Sequence, residues 1–261
     1  MTTWTLVTGA SSGIGRAFAE RAAREGRAVL IAARRTDKLE ELAPKLTELG
    51  AEDVRIVTAD LSKDAEVEAL WTAATSGEDT VDFLVNNAGL GSHGQFDVAD
   101  WTREKLSLAV NIDGLTHLMK LAVPHMKENR KGRILNVASI AGFLPSPNMA
   151  VYAATKAYVL SLSEAVAEEL DGTGVTVTAL CPGATESEFF SSADMLGTSI
   201  AKNTSKLPSS KEVAEAGWLA AKMGSRIIVP GVMNKTIAFI PRIMPRWAIT
   251  RITKNVMGEA K

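Results

Sequence analysis

Residues 4–24 read WTLVTGASSGIGRAFAERAAR: a short apolar run, a glycine-rich turn and an amphipathic stretch in immediate succession. The run suits a strand, and the stretch after it spaces its apolar residues as a helix does, so the turn joins a strand end to a helix start. Glycines at 9, 13 and 15, with Ser11, Ser12 and Ile14 between them, let the backbone bend tightly and lie close to a ligand. Free N–H groups at a helix start suit the charge of a pyrophosphate. The spacing is G-x-x-x-G-x-G. Nothing matches G-x-x-x-x-G-K-[ST], which argues against an ATPase or GTPase.

The same alternation continues outward. AVLIAARR precedes TDKLEELAPKLTELG, VRIVTAD precedes KDAEVEALWTAATS, and VDFLVNNAG precedes a helical stretch from about 101 to 129. GRILNVAS precedes the helix that carries YAATK and runs to Leu170; VTVTALCPG precedes a polar loop and a helix near 211–223; RIIVPG follows. Short, almost continuous apolar strands separated by helices predict a mainly parallel sheet covered on both faces, with right-handed crossovers. The expected fold is therefore α/β, three-layer and doubly wound. No repeat, low-complexity tract or linker divides residues 1–261, so one domain is expected.

Twenty-nine basic residues against thirty acidic ones leave a formal net charge of −1, which offers no global attraction to nucleic acid. The single cysteine, Cys181, excludes an intramolecular disulfide framework and fits a reducing interior. MTTWTLVTG lacks the basic and apolar regions of a signal peptide, and no run reaches membrane-spanning length; a cytoplasmic protein is expected. Three histidines far apart give no metal-site spacing, and no metal is expected.

The second strand ends in Ala33-Arg34-Arg35, where a site for NAD usually carries an acid toward the ribose hydroxyls. No carboxylate stands there to repel a 2′-phosphate, and Arg34 can offer one a bidentate fork, with Arg35 a further cofactor-binding candidate, so NADP(H) is preferred and NAD(H) stays possible. Asp60 and Leu61 close the third strand where an adenine would pass, although Asp60 could equally cap the helix beginning near Lys63. Asn87, Ala88 and Gly89 end the fourth, with an asparagine to tie strand ends together and small residues to lie against a cofactor.

Ser139 ends the fifth strand at the carboxyl edge, where ligands of open α/β sheets bind. Tyr152 and Lys156 follow on one helical face, one turn apart. A phenol of pKa near 10 is a poor proton carrier at neutral pH. An ammonium beside it, aided by an oxidised nicotinamide, would lower that value and make Tyr152 a general acid or base with Ser139 holding the substrate oxygen. Asn111, a weak helix former inside LAVNIDGLTHLM, caps a kink, holds a water or is simply a buried structural amide.

Together TGASSGIG, NNAG, Asn111, Ser139 and YAATK resemble the short-chain dehydrogenase/reductase family over nearly the whole chain, in particular its ketoacyl-reductase-like and general carbonyl-reductase members. The resemblance implies a Rossmann-type fold of about seven parallel strands. It also implies a catalytic set of Asn111, Ser139, Tyr152 and Lys156, with Asn111 holding a water toward Lys156. Lys156 grips the nicotinamide ribose, Asn87 supports the site and Ile14 packs near the cofactor. Pro182, Gly183, Thr185 and Ser187 match a further cofactor-contacting stretch, in which Ser187 replaces the usual threonine and Thr185 meets the carboxamide. Ser12 stands where many NADP-dependent members carry a basic residue.

The segment 184–210 matches the family's substrate loop in position. Phe189, Phe190, Met195 and Leu196 make it apolar, and no cluster of cations awaits a carboxylate. The expected activity is NADPH-dependent reduction of an apolar ketone, aldehyde or 3-oxoacyl-type carbonyl. Oxidation of a serine-like 3-hydroxy acid or another secondary alcohol is the alternative, and a non-catalytic nucleotide sensor, which would be expected to lose part of the catalytic set, is the third. His93 is either a pocket residue or a solvated loop residue, and Phe143 and Leu144 are candidates for the opposite wall. The stretch from about 233 to 257 is amphipathic and basic, with three readings: a lid, an interface in a homodimer or homotetramer, and a peripheral membrane contact.

Overall fold

The computed structural model describes residues 1–186, 188, 189, 193 and 207–256. Seven parallel strands form one sheet in the order β3-β2-β1-β4-β5-β6-β7. They are β1 (Thr3–Thr8), β2 (Ala28–Ala33), β3 (Val54–Thr58), β4 (Thr80–Asn86), β5 (Gly132–Val137), β6 (Val175–Leu180) and β7 (Ile227–Ile228). Chain order reverses direction between β1 and β4, which opens a crevice at their carboxyl ends. This is a Rossmann-type arrangement.

Helices α1 (Gly13–Arg24), α2 (Thr36–Glu48) and α7 (Ser210–Lys222) cover one face; α3 (Asp64–Ala74), α4 (Trp101–Leu108), α5 (Leu115–Glu128) and α6 (Ala150–Glu169) belong to the other. Strand periodicity separates the two cores. Trp4 and Leu6 of β1 pack with Leu70, Leu118, Met119 and Val159, while Val7 packs with Phe18, Leu39, Leu42 and Trp218. Phe83 stacks on Trp218 with ring centroids 4.4 Å apart. β2 is buried at all six positions, which explains why its sequence is continuously apolar rather than alternating.

Two elements differ from the sequence reading. The stretch from 101 to 129 is not one helix: α4 and α5 are joined by a π-helical turn, Ala109–Gly114, that contains Asn111. RIIVPG contributes only the short β7, beyond which the chain forms α8 (Val232–Phe239), a 3₁₀ turn (Ile240–Arg242) and α9 (Arg246–Val256).

Candidate active site

The glycine turn is held from behind by β4. The Thr8 hydroxyl accepts from the N–H groups of Asn87 and Ala88, both at 3.0 Å. In return the Asn87 amide donates to the carbonyls of Thr8 at 3.0 Å and Gly9 at 3.3 Å. Gly9 has φ +63°, and a Cβ on it would stand 2.8 Å from Ala88 Cα. A side chain at Gly15 would collide with both the Asn87 amide and the Gly9 carbonyl. These close approaches require glycine. Gly15 therefore seats α1 against the turn, whereas Gly9, Ser11, Ser12, Gly13 and Ile14 line the cavity above it. Thr8 was not singled out from sequence, although it heads the motif itself.

At the end of β2 the two arginines divide. Arg34 lines the cavity beside Asp60, and its charge bears on that carboxylate. Partial burial raises the Asp60 pKa, but hydrogen bonds from the Ser62 N–H and hydroxyl, with Arg34, outweigh it and hold Asp60 below the usual value. The Asp60 side chain thus makes a local turn with Ser62 rather than capping α3, whose N-terminus has no side-chain cap. Leu61 lines the cavity next to it. Arg35 reaches across the turn to the hydroxyls of Ser11 and Ser12, both at 3.0 Å, and pairs with Glu188 at 3.0 Å. Two cations, two hydroxyls and a turn that requires glycine at positions 9 and 15 fit the phosphates of a dinucleotide.

Tyr152 and Lys156 lie on α6, facing β5. Ser139 caps the 3₁₀ turn Ile140–Phe143, its hydroxyl accepting from the Ala141 N–H at 3.1 Å and hydrogen-bonding Tyr152. Burial pushes the Tyr152 phenol up to about 12, with the Ser139 hydrogen bond pulling the other way. Burial also brings the Lys156 ammonium down to about 8. Lys156 Nζ donates to the Val137 carbonyl at 2.7 Å and lies 5.8 Å from the Tyr152 ring centroid. The expected depression of the phenol is thus not produced by the chain's own groups, because desolvation of the buried phenolate exceeds what the Ser139 hydrogen bond returns.

Asn111 is completely buried beneath this pair and does not line the cavity. Its amide donates to the Leu90 carbonyl, the Ser107 hydroxyl and the Thr155 hydroxyl and accepts from the Leu90 N–H. The side chain is therefore committed to tying the loop after β4 to α6. The π-helical turn aims it there.

One continuous cavity of about 800 Å³ runs from the glycine turn past Asn87, Ala88 and Gly89 to Ser139, Tyr152 and Lys156. Pro182, Gly183, Thr185, Leu144 and Phe189 also line it, and Phe189 packs against the Tyr152 ring at 5.3 Å. Of the remaining wall candidates, neither Phe143 nor His93 is among the lining residues. Phe143 turns into the core beneath α6, and His93 sits on the loop after β4 without contributing to the lining. Ser187, Phe190, Met195 and Leu196 lie outside the described residues. The far wall comes instead from the C-terminal helices: Ile237, Ile240, Met244, Ile249 and Ile252 all line the cavity. Thr253 pins α9 by donating to the Pro145 carbonyl at 2.8 Å, and Asn234 of α8 sits directly on Gly183.

The short chain dehydrogenase family profile matches residues 3–195. The very-long-chain 3-oxoacyl-CoA reductase of Rattus norvegicus is 30% identical over 263 residues, covering 99% of this chain and 80% of the relative. A short-chain dehydrogenase from Sphingobium yanoikuyae in complex with NADPH superposes with a TM-score of 0.80 at 28% identity, covering 94% of this chain and 97% of that one. A 7beta-hydroxysteroid dehydrogenase structure superposes with a TM-score of 0.84 at 27% identity and 96% coverage of both chains.

Proposed function

This chain belongs to the short-chain dehydrogenase family, and from that premise we propose that it is an NADPH-dependent oxidoreductase reducing an apolar ketone, aldehyde or 3-oxoacyl-type carbonyl to the alcohol. The observation that carries the reading is the continuity of the cavity. Its polar end holds the glycine turn, Arg34 and Arg35; its middle holds Ser139, Tyr152 and Lys156; its other end is walled by Leu144, Phe189, Ile237, Met244 and Ile249. Relatives named for very-long-chain 3-oxoacyl-CoA and for hydroxysteroids agree with a bulky apolar substrate.

When bound, a reduced nicotinamide supplies the hydride. The protein supplies the proton and the site for the growing negative charge. Burial keeps Tyr152 protonated at neutral pH, so it serves as the general acid toward the substrate oxygen. The Ser139 hydroxyl donates to that same oxygen; its own contact with the Pro182 carbonyl is long, 3.5 Å, and easily given up. Lys156, held by the Val137 carbonyl, steadies the phenolate left behind and replaces its proton. It would also hold the nicotinamide ribose. Asn111 positions the Leu90 segment and α6 rather than touching the substrate.

The test is a spectrophotometric panel of alkyl and aryl ketones, 3-oxoacyl thioesters and serine-like 3-hydroxy acids, run in both directions with NADP(H) and NAD(H). Reduction of the bulky apolar carbonyls with NADPH is expected; turnover confined to the hydroxy acids would transfer the assignment to the alternative. Arg34→Ala and Arg35→Ala should each raise KM for NADPH on the order of tenfold, with NADH little affected, because each removes a charge-assisted contact to the 2′-phosphate. Assembly as a homodimer or homotetramer belongs to the same reading and is measured by analytical ultracentrifugation.

A further inference from the structure

The cavity accounts for only one side of the C-terminal helices. In α9, Ile249 and Thr253 are buried, and the helical period places Trp247, Arg251 and Lys254 on the opposite face. The Arg251 guanidinium lies 5.9 Å from the Trp247 ring centroid, which confirms that they share it. Trp247 is 68% exposed, Ile243 72% and Phe239 54%, and Val232 and Met233 extend the apolar surface along α8.

Charge separates this surface from the rest of the chain. Between 232 and 256 stand Lys235, Arg242, Arg246, Arg251 and Lys254, all exposed, and no aspartate or glutamate, although the whole chain is at −1. None of the five pairs with a carboxylate among the described residues. A second copy is a poor occupant, because a two-fold interface would set this cationic patch against itself. Water is a poor one for three large apolar side chains that are each more than half exposed. An anionic bilayer satisfies both: arginines meet lipid phosphates, and a tryptophan among aliphatic side chains suits the boundary between headgroups and acyl chains. No described helix is long and apolar enough to cross a membrane, so such contact is peripheral.

We propose that α8, the turn after it and α9 form a docking surface for an anionic phospholipid bilayer, with Phe239, Ile243 and Trp247 entering the headgroup boundary. The inner faces of the same helices line the cavity, so docking holds the cavity's apolar end against the bilayer. That the ligand enters from the lipid rests on the reductase reading; the docking itself does not.

The test is sedimentation of the purified full chain with vesicles of phosphatidylcholine alone or mixed with phosphatidylserine. Binding to the mixed vesicles is expected, weakening on the order of tenfold as sodium chloride is raised well above physiological strength. Trp247→Ser with Ile243→Ser, and separately the milder Arg246→Gln with Arg251→Gln, should abolish sedimentation while circular dichroism and reduction of a water-soluble ketone stay as in the wild type, since none of these side chains lines the cavity. Absence of binding, equal binding to both vesicle types, or a lipid-independent dimer that Trp247→Ser dissociates would each overturn the proposal. The sedimentation readout needs no turnover, so it stands or falls separately from the enzymatic assignment.

Discussion

At Tyr152 two opposed effects decide the chemistry. Burial raises the phenol to about 12 and lowers Lys156 to about 8, so the pair is set with the tyrosine proton present and the lysine proton easily lost. Tyr152→Phe should bind NADPH as the wild type does but lose turnover by about 10²-fold or more, the scale of a missing general acid; stopped-flow reduction with wild-type amplitude and rate would dismiss the role. The Lys156 value sets the pH dependence. Its charge is complete below about pH 8 and disappears as pH rises through that value, so kcat for reduction should fall on the alkaline side with a break near pH 8. A profile flat to about pH 10 would mean that Lys156 does not titrate in the rate-limiting step. Tyr152, Lys156 and Ser139 were legible in the sequence because a helical period and a strand end place them together. The commitment of Lys156 to the Val137 carbonyl was not, since a main-chain acceptor leaves no mark in a side-chain pattern.

Among the elements, the π-helical turn between α4 and α5 is the one that sequence periodicity misses. The π-helical turn steps the register by one residue only at the join, and each flanking helix keeps its own 3.6-residue spacing, so the stretch from 101 to 129 still reads as helical throughout. Its effect is to turn the Asn111 amide inward, where it serves both main-chain groups of Leu90 and the Thr155 hydroxyl. Asn111→Ala would leave the Leu90 N–H without its partner, while the Leu90 carbonyl keeps the Ser107 hydroxyl at 2.9 Å. Chemical denaturation should show a loss of about 1–3 kcal/mol, on the scale of one unsatisfied main-chain group. Activity should fall with it, and a variant of unchanged stability would show that these bonds are not what holds the loop.

For the whole molecule, the cavity touches the ends of β1, β2, β4, β5 and β6 as well as α8 and α9, so a ligand that fills it would bridge elements from every part of the chain. A ligand that binds only the folded state stabilises it by mass action, about 2.7 kcal/mol at a hundredfold excess over Kd. For a chain of this size NADPH should raise Tm by about 5–10 °C. Arg34→Ala should reduce that shift while leaving the smaller one produced by NADH, and differential scanning fluorimetry checks both. Equal shifts from the two coenzymes in the wild type would remove the basis for preferring the phosphorylated one.

The alternation of apolar runs with helical stretches, together with a glycine turn at 9–15, was enough to determine the doubly wound sheet, because strand and helix periods are local and each strand's burial on two faces is written into its own composition. The same locality located Ser139, Tyr152 and Lys156. Only the tertiary structure decided which side chains wall the cavity: His93 and Phe143 are outside it, and Ile237, Met244 and Ile249 are inside. Arg35, rather than Arg34, bridges the serine hydroxyls, and Thr253 reaches a carbonyl 108 residues away. Such contacts are set by how finished elements pack against one another, and no period in the chain encodes a distance between residues so far apart in it.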